Sequence, residues 1–335
     1  MRMLAVLLAV VFGMNVSLSG EAAKPAGYPV KPIEIIVPFA PGGGMDVSVR
    51  LLAGYAGEEL GEKIRVVNLT RGGNIQGNLE GIRAAPDGYV LGCWGTGLVT
   101  DQLMVRNAPY THKDVEPVCM YARDPHLIVV SAEFAERTGV RTLEALLRHI
   151  GENPGMVVFG AGGNWTSHDF LRLKLEAAAG EKFARMPFLG GAPALRAALE
   201  GNCDVVTPFP SEFMPYAESD AVIVLAVASE SRLRMLPDIP ATKELGYPSF
   251  VQGIWRVIAA PKGTPQRIID YLAAVFHRAV ENGDFVSEAG KAGITPVFMA
   301  GDELKDFIEE EYEAFVDLTG ELGIGAVPQK ESVTE

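Results

Sequence analysis

Two stretches of this 335-residue chain offer backbone N–H groups where an anion would meet them. The first is Pro38-Phe39-Ala40-Pro41-Gly42-Gly43-Gly44-Met45-Asp46. It lies between an apolar run, Ile33-Glu34-Ile35-Ile36-Val37, and a helical pattern through Val47, Leu51, Leu52, Tyr55, Ala56 and Leu60. Glycine bends through positive φ and leaves its N–H uncovered. At a helix N-terminus such a loop is a ready anion cradle, because free N–H groups and the helix dipole act together. Asp46 stands where an N-cap belongs, its carboxylate able to accept bonds from the first turn. The second stretch repeats the device: a strand Met156-Val157-Val158-Phe159, then Gly160-Ala161-Gly162-Gly163-Asn164-Trp165-Thr166-Ser167-His168, then a helix ending at Gly180. Either loop alone also suits a plain strand-to-helix turn. Two of them in one chain point to an anionic ligand gripped from both sides.

Other chemistries lack their residues. Gly42-Gly43-Gly44 is not followed by the Lys and Ser/Thr of a phosphate-binding P-loop. Gly160-Ala161-Gly162 begins like a dinucleotide fingerprint, but Trp165 stands where its third glycine is needed. No Gly-x-Ser-x-Gly elbow exists. Ser167 and His168 are neighbours at a helix start and point apart, with no third partner indicated. The five histidines, 112, 126, 149, 168 and 277, show no metal-ligand spacing, so neither a metal nor a cofactor is expected. Cys93, Cys119 and Cys203 sit in apolar runs and read as small buried hydrophobes; a disulfide would leave one thiol over.

The elements that must position the loops follow from composition and order. Residues 1–23 form an apolar run with small residues at its end, the pattern of a secretory signal cleaved near Ala22 or Ala23. The net charge of −13 and the lack of a basic block argue against nucleic acid as a partner. A small anion remains admissible, since screening over about 10 Å lets a local cradle outvote distant charge. A chain of this length, 48% hydrophobic, suits two cores rather than one. Strand and helix patterns alternate: Ile64–Asn68, a weak helix from Asn74 to Ala85, then Tyr89–Gly95. This βαβαβ order predicts a mostly parallel sheet flanked by helices, and ligands of such sheets bind beyond the carboxyl ends of the strands. Arg123-Asp124-Pro125 reads as a linker, after which a second series begins at Leu127.

Several runs resemble the substrate-binding receptors of tripartite tricarboxylate transporters, the Bug or TctC-like family. They are Tyr28-Pro29-Val30-Lys31-Pro32-Ile33 with Val37 to Asp46, Ala85-Pro86-Asp87-Gly88-Tyr89, Gly190-Gly191-Ala192-Pro193-Ala194-Leu195, Pro237-Asp238-Ile239-Pro240-Ala241-Thr242 and Ala260-Pro261-Lys262-Gly263-Thr264-Pro265. The resemblance implies an α/β, two-lobed periplasmic-binding-protein type II (Venus-flytrap) fold, each lobe a mostly parallel sheet flanked by helices. Lobe one would be 28–123 plus 231–335, and lobe two 124–230. It implies a monomeric periplasmic receptor, not an enzyme, that hands a small organic carboxylate, such as a di- or tricarboxylate, to transporter membrane subunits. A sensor feeding a membrane kinase and an exported hydrolase are the competing readings. Carried over by motif, the ligand would meet Phe39, Ala40, Gly42, Gly43, Gly44 and Met45 on one loop. Gly160, Gly162, Gly163, Trp165, Thr166, Ser167 and His168 would form the other. Met45 and Trp165 depart from the family pattern, Met45 by lacking the hydroxyl many relatives carry. Ser211 and the pair Trp255-Arg256 would line the cleft, with Arg256 meeting a second carboxylate bidentately. Arg71 and Arg185 are weaker candidates.

Overall fold

The computed structural model describes residues 22–321, apart from 71–73, 106, 164 and 189, together with 323. Residues 1–21 of the expected signal segment, and Arg71, lie outside the described residues. No helix among the described residues is long and apolar enough to cross a membrane.

Eleven strands are described, and they build two sheets. The first chain passage supplies β1 (Ile33–Val37), β2 (Ile64–Asn68), β3 (Val90–Trp94) and β4 (Val115–Pro125). The second sheet takes β5 (Leu127–Ser131), β6 (Val158–Ala161), β7 (Ala184–Pro187), β8 (Val205–Val206) and β9 (Val222–Val227). The chain then returns with β10 (Gly253–Pro261) and β11 (Pro296–Met299). Sheet one runs β11-β4-β10-β3-β1-β2, and sheet two β7-β6-β8-β5-β9.

The two-lobed α/β architecture is therefore present, and each sheet is mixed rather than mostly parallel. In sheet one, β2 and β3 flank β1 in parallel, whereas β10 and β11 run antiparallel to their neighbours. In sheet two, β7 and β8 flank β6 in parallel, and β5 runs antiparallel to β8 and β9. The strands adjoining the passages between the sheets, β4, β5, β9 and β10, all make antiparallel pairs. Each parallel triple has at its centre the strand that feeds a glycine loop, β1 in one sheet and β6 in the other.

Burial explains the central strands. Apart from Glu34, β1 is apolar throughout because helices cover both faces of its sheet. One face packs Ile33, Ile35 and Ile258 against Val49, Leu52, Leu272 and Phe276. The other packs Trp94, Trp255 and Val257 against Leu304, Ile308 and Phe315. This second cluster also takes in Phe170 from the helix Ser167–Ala179 of the other half, whose ring lies 4.6 Å from that of Phe315.

The passages between sheets are tied to one another. His126 N–H donates to Gln252 O at 3.0 Å, Gln252 N–H to Ala228 O at 3.0 Å, and Ala228 N–H to His126 O at 2.8 Å. This closed ring of backbone bonds joins the single residue after β4, the residue after β9 and the residue before β10. The stretch 231–250, expected in lobe one, packs elsewhere. Leu233, Leu236 and Ile239 join the core around Val206 and Phe213, and Tyr247 and Phe250 the core around Phe159. These five side chains thus pack with the half built on sheet two, and the chain rejoins sheet one only at Gly253.

Candidate functional site

The first loop is held by a carboxylate, though not as a cap. The helix begins at Gly44, Gly43 is the N-cap, and Asp46 is the third helical residue. From there its carboxylate reaches back over one turn, accepting the Gly42 N–H at 2.9 Å, Arg50 Nε at 2.9 Å and Asn68 Nδ2 at 2.8 Å. The same Asn68 amide donates to Phe39 O at 3.0 Å, so both ends of the loop are fastened. Burial works against the Asp46 charge, but the bonds from Arg50, Gly42 and Asn68 prevail and hold its pKa below the ordinary value.

A depressed folded pKa contributes stability that is complete above about pH 4 and lost as the pH falls through the folded value. Asp46→Asn should therefore lower unfolding stability by about 1.5–3 kcal/mol at pH 7, the range for bonds to a charged group. Its unfolding midpoint should fall less steeply than the native protein's below pH 4, as thermal scans across pH will show.

Met45 turns into the core of the sheet-one half. Its side chain is buried, with the Cys93 thiol 3.1 Å and the Tyr121 hydroxyl 3.9 Å from its sulfur. Cys93, Cys119 and Cys203 are all buried and free.

The second loop is built the same way. Gly160 belongs to β6 itself, so the loop proper starts at Gly162. Thr166 is the N-cap, and its hydroxyl donates to Gly163 O at 3.2 Å. Asp169, third in the helix like Asp46, accepts the Trp165 N–H at 3.2 Å, Arg172 Nε at 2.7 Å and Arg185 Nη2 at 3.1 Å. The sequence reading missed Asp169. Its signal was available: in each loop an aspartate follows the loop residue by four, with an arginine one helical turn further on. Trp165 has a left-handed backbone, φ 59°, held by that Asp169 bond, and its half-buried ring packs against the cluster containing Trp94 and Phe170.

His168 is held within its own half. Its Nδ1 donates to Thr207 O at 2.7 Å, and its ring lies 3.0 Å from where a Cβ on Gly162 would stand. His126 donates through Nδ1 to the same carbonyl at 2.8 Å and stacks on Phe209 at 4.3 Å. A carbonyl only accepts, so both rings carry their proton on Nδ1. Burial, and then the neighbouring His168, push the His126 pKa well below its usual value. The two imidazoles form a platform beneath loop two.

The halves meet at Gly44, Ser211 and Arg256. A Cβ on Gly44 would stand 2.9 Å from Ser211 Oγ and 3.2 Å from Arg256 Nη2. Gly293, with φ 72°, lies close against the Pro210–Ser211 peptide. Arg256 is fully buried, and its Nη1 is ion-paired with Asp124 Oδ2 at 2.6 Å, while Asp124 Oδ1 accepts the Thr295 N–H at 2.7 Å. Arg256 Nε and Nη2, Ser211 Oγ and Thr96 Oγ1 are buried without a hydrogen-bond partner among the described residues. Thr96 was not foreseen; it sits in Gly95-Thr96-Gly97 at the carboxyl end of β3, beside β1.

Trp255 is not part of this group. Its indole N–H donates to Glu311 Oε2 at 2.9 Å and its ring meets the edge of Phe307. Successive strand residues face opposite sides of a sheet, so Trp255 and Arg256 cannot share a cleft. Phe39 packs its ring on the first core, and Ala40 is exposed. A groove of about 1820 Å³ runs between β11, the helix Gln266–Glu281 and residues 231–235. Of the unpartnered buried atoms among the described residues, it includes only that of Thr295 in its lining.

Residues 48–324 match the tripartite tricarboxylate transporter family receptor. The chain is 30% identical over 322 residues to Protein BugT of Bordetella pertussis, covering 95% of this chain and 97% of that one. Among solved structures it is similar to the periplasmic binding protein BugD, with a TM-score of 0.80, 26% identity, and coverage of 89% and 99%. It is similar also to MatC of Rhodopseudomonas palustris, solved with bound malate, with a TM-score of 0.77, 25% identity, and coverage of 87% and 99%.

Proposed function

We propose that this chain, which belongs to the tripartite tricarboxylate transporter receptor family, captures a small organic carboxylate in the periplasm and presents it to the membrane subunits of such a transporter. One observation carries the ligand class. The N-terminus of the helix Gly44–Leu60 meets two buried, unpartnered donors, Arg256 Nη2 and Ser211 Oγ, contributed by other parts of the chain. An unpaired buried donor is unfavourable by about 1–3 kcal/mol, and a carboxylate oxygen among these groups relieves that while lying on the positive end of a helix dipole. MatC, with malate bound, is a relative of the same fold whose ligand is a carboxylate. The periplasmic setting is supported by the likeness to BugD, a periplasmic binding protein.

Capture works by closure. Gly44 belongs to the sheet-one half and Ser211 to the segment after β8, so a ligand touching both favours the closed arrangement over the open one. The backbone ring of His126, Ala228 and Gln252 is where the halves turn. His168 is committed to Thr207, so the Ser167-His168 pair serves loop structure rather than nucleophilic chemistry.

A thermal-shift panel on ligand-stripped protein tests the reading. At a hundredfold excess over Kd, a true ligand adds about 2.7 kcal/mol and raises the midpoint by a few degrees. At least one carboxylate should do so and its amide should not; a panel in which only uncharged compounds shift the midpoint would sink the proposal.

A further inference from the structure

The arginines on the two loop helices and on β10 are already matched by carboxylates of the protein. Arg50 is paired with Asp46 at 2.9 Å, Arg172 with Asp169 at 2.7 Å and Glu176 at 2.6 Å, and Arg256 with Asp124 at 2.6 Å. Arg185, beside loop two, is also on Asp169. Lys174, the remaining cation of the second loop helix, donates to Gln252 Oε1 at 2.7 Å and to Val251 O. One residue after Ser211 is a second carboxylate, Glu212, which accepts the Phe209 N–H at 2.9 Å. Asp124 has its pKa raised by burial first, with the Glu212 charge adding to the effect against Arg256, so the two carboxylates feel one another.

The fixed charge around Gly44, Ser211 and Arg256 is thus one guanidinium against two carboxylates. What remains for a ligand is directed donors without surplus positive charge: the helix N-terminus, worth about half a charge, the unused edge of Arg256 and the Ser211 hydroxyl. These suit one carboxylate. A second carboxylate on the same ligand would stand near Asp124 and Glu212, where Arg256, the one cation placed in this group among the described residues, is already paired with Asp124, and in a buried site such repulsion is weakly screened.

We propose that the ligand is a monocarboxylate with an uncharged or zwitterionic remainder, and that the Asp124–Arg256 pair is the device that excludes dicarboxylates. This rests on the carboxylate reading above, and it sets the chain apart from the malate-bound MatC. The experiment is calorimetry at pH 7.5 on the stripped full-length mature protein, with matched pairs: lactate and malate, butyrate and succinate, benzoate and phthalate, alanine and aspartate. The expected result is that at least one monocarboxylate binds and its dicarboxylate partner binds at least tenfold more weakly. Asp124→Asn leaves the guanidinium charge unmatched and should narrow that ratio at least threefold, with thermal unfolding in the same samples reporting that the variant is folded. Should Asp124→Asn not fold, Glu212→Gln provides the same comparison. A dicarboxylate binding as tightly as its partner, or a ratio unmoved in the folded variant, overturns the inference. Binding by no carboxylate of either kind overturns the carboxylate reading itself.

Discussion

Gly44→Val is expected to weaken ligand binding at least a hundredfold while leaving the unfolding midpoint unchanged or slightly higher. The two effects separate because the position lacks a backbone requirement for glycine. Gly44 is the first residue of a helix, and its φ lies outside the left-handed region, so a β-branched residue can adopt its conformation. Helical glycine is in fact about 1 kcal/mol less favourable than alanine. The obstruction is across the cleft, where a Cβ would stand 2.9 Å from Ser211 Oγ and 3.2 Å from Arg256 Nη2. Ser211 can rotate away from a lone Cβ, but the added methyl groups of valine also meet a guanidinium that is fully buried and held by Asp124. Relief comes from moving the loop off the Ser211 segment, which is opening. Calorimetry should show the loss, and small-angle scattering should show a larger radius of gyration that ligand no longer reduces. A Kd within threefold of the native value, with the compact form retained, would show that the Gly44–Ser211 approach is not part of capture.

The loops were legible because their signals are local. Three glycines after an apolar strand and before a helical period occupy about a dozen residues, and the second copy has the same local pattern. Helical phase is less plain. The buried stripe of the first helix is Met45, Val49, Leu52, Ala56 and Leu60, while Val47 is 38% exposed. Following the spacing from Val49 back by four gives Met45 as a core residue, which is where its sulfur lies. Trp255 failed for a similar reason: residues adjacent in a strand were assigned to one face. Asp124 was hidden more deeply. It stands in Arg123-Asp124-Pro125, which reads as a linker, but it lies within β4. It meets Arg256 only because β4 and β10 pair antiparallel, with Asp124 opposite Ile254 and Ala122 opposite Arg256. That diagonal neighbour depends on a long-range register, and nothing within either segment announces it.

The same pair yields the largest expected effect on stability. Asp124→Ala and Arg256→Ala should each destabilise the protein by about 3–5 kcal/mol in urea unfolding, since each leaves one buried charge uncompensated. An exposed ion pair would give no more than about 1 kcal/mol, so the size of the loss distinguishes the two situations. Both side chains here are wholly inaccessible. The double variant Asp124→Leu with Arg256→Met should regain most of what either single change loses, because apolar side chains of similar volume need no desolvation of charge. The direction of the Asp124 pKa supports this. Burial raises it even with Arg256 alongside, so ionisation opposes the folded state, and the contribution of this group falls as the pH rises through its folded value. The double variant should accordingly gain on the native protein as the pH rises from about 4, the ordinary carboxylate value, through the folded value of Asp124, while binding its carboxylate at least a hundredfold more weakly for want of the guanidinium donor. If the double variant is instead less stable than both single ones, the pair supports the fold itself. If it is stable and binds normally, the guanidinium is not a ligand donor. A stable double variant that has lost binding identifies the buried pair as one retained for recognition against its own effect on stability.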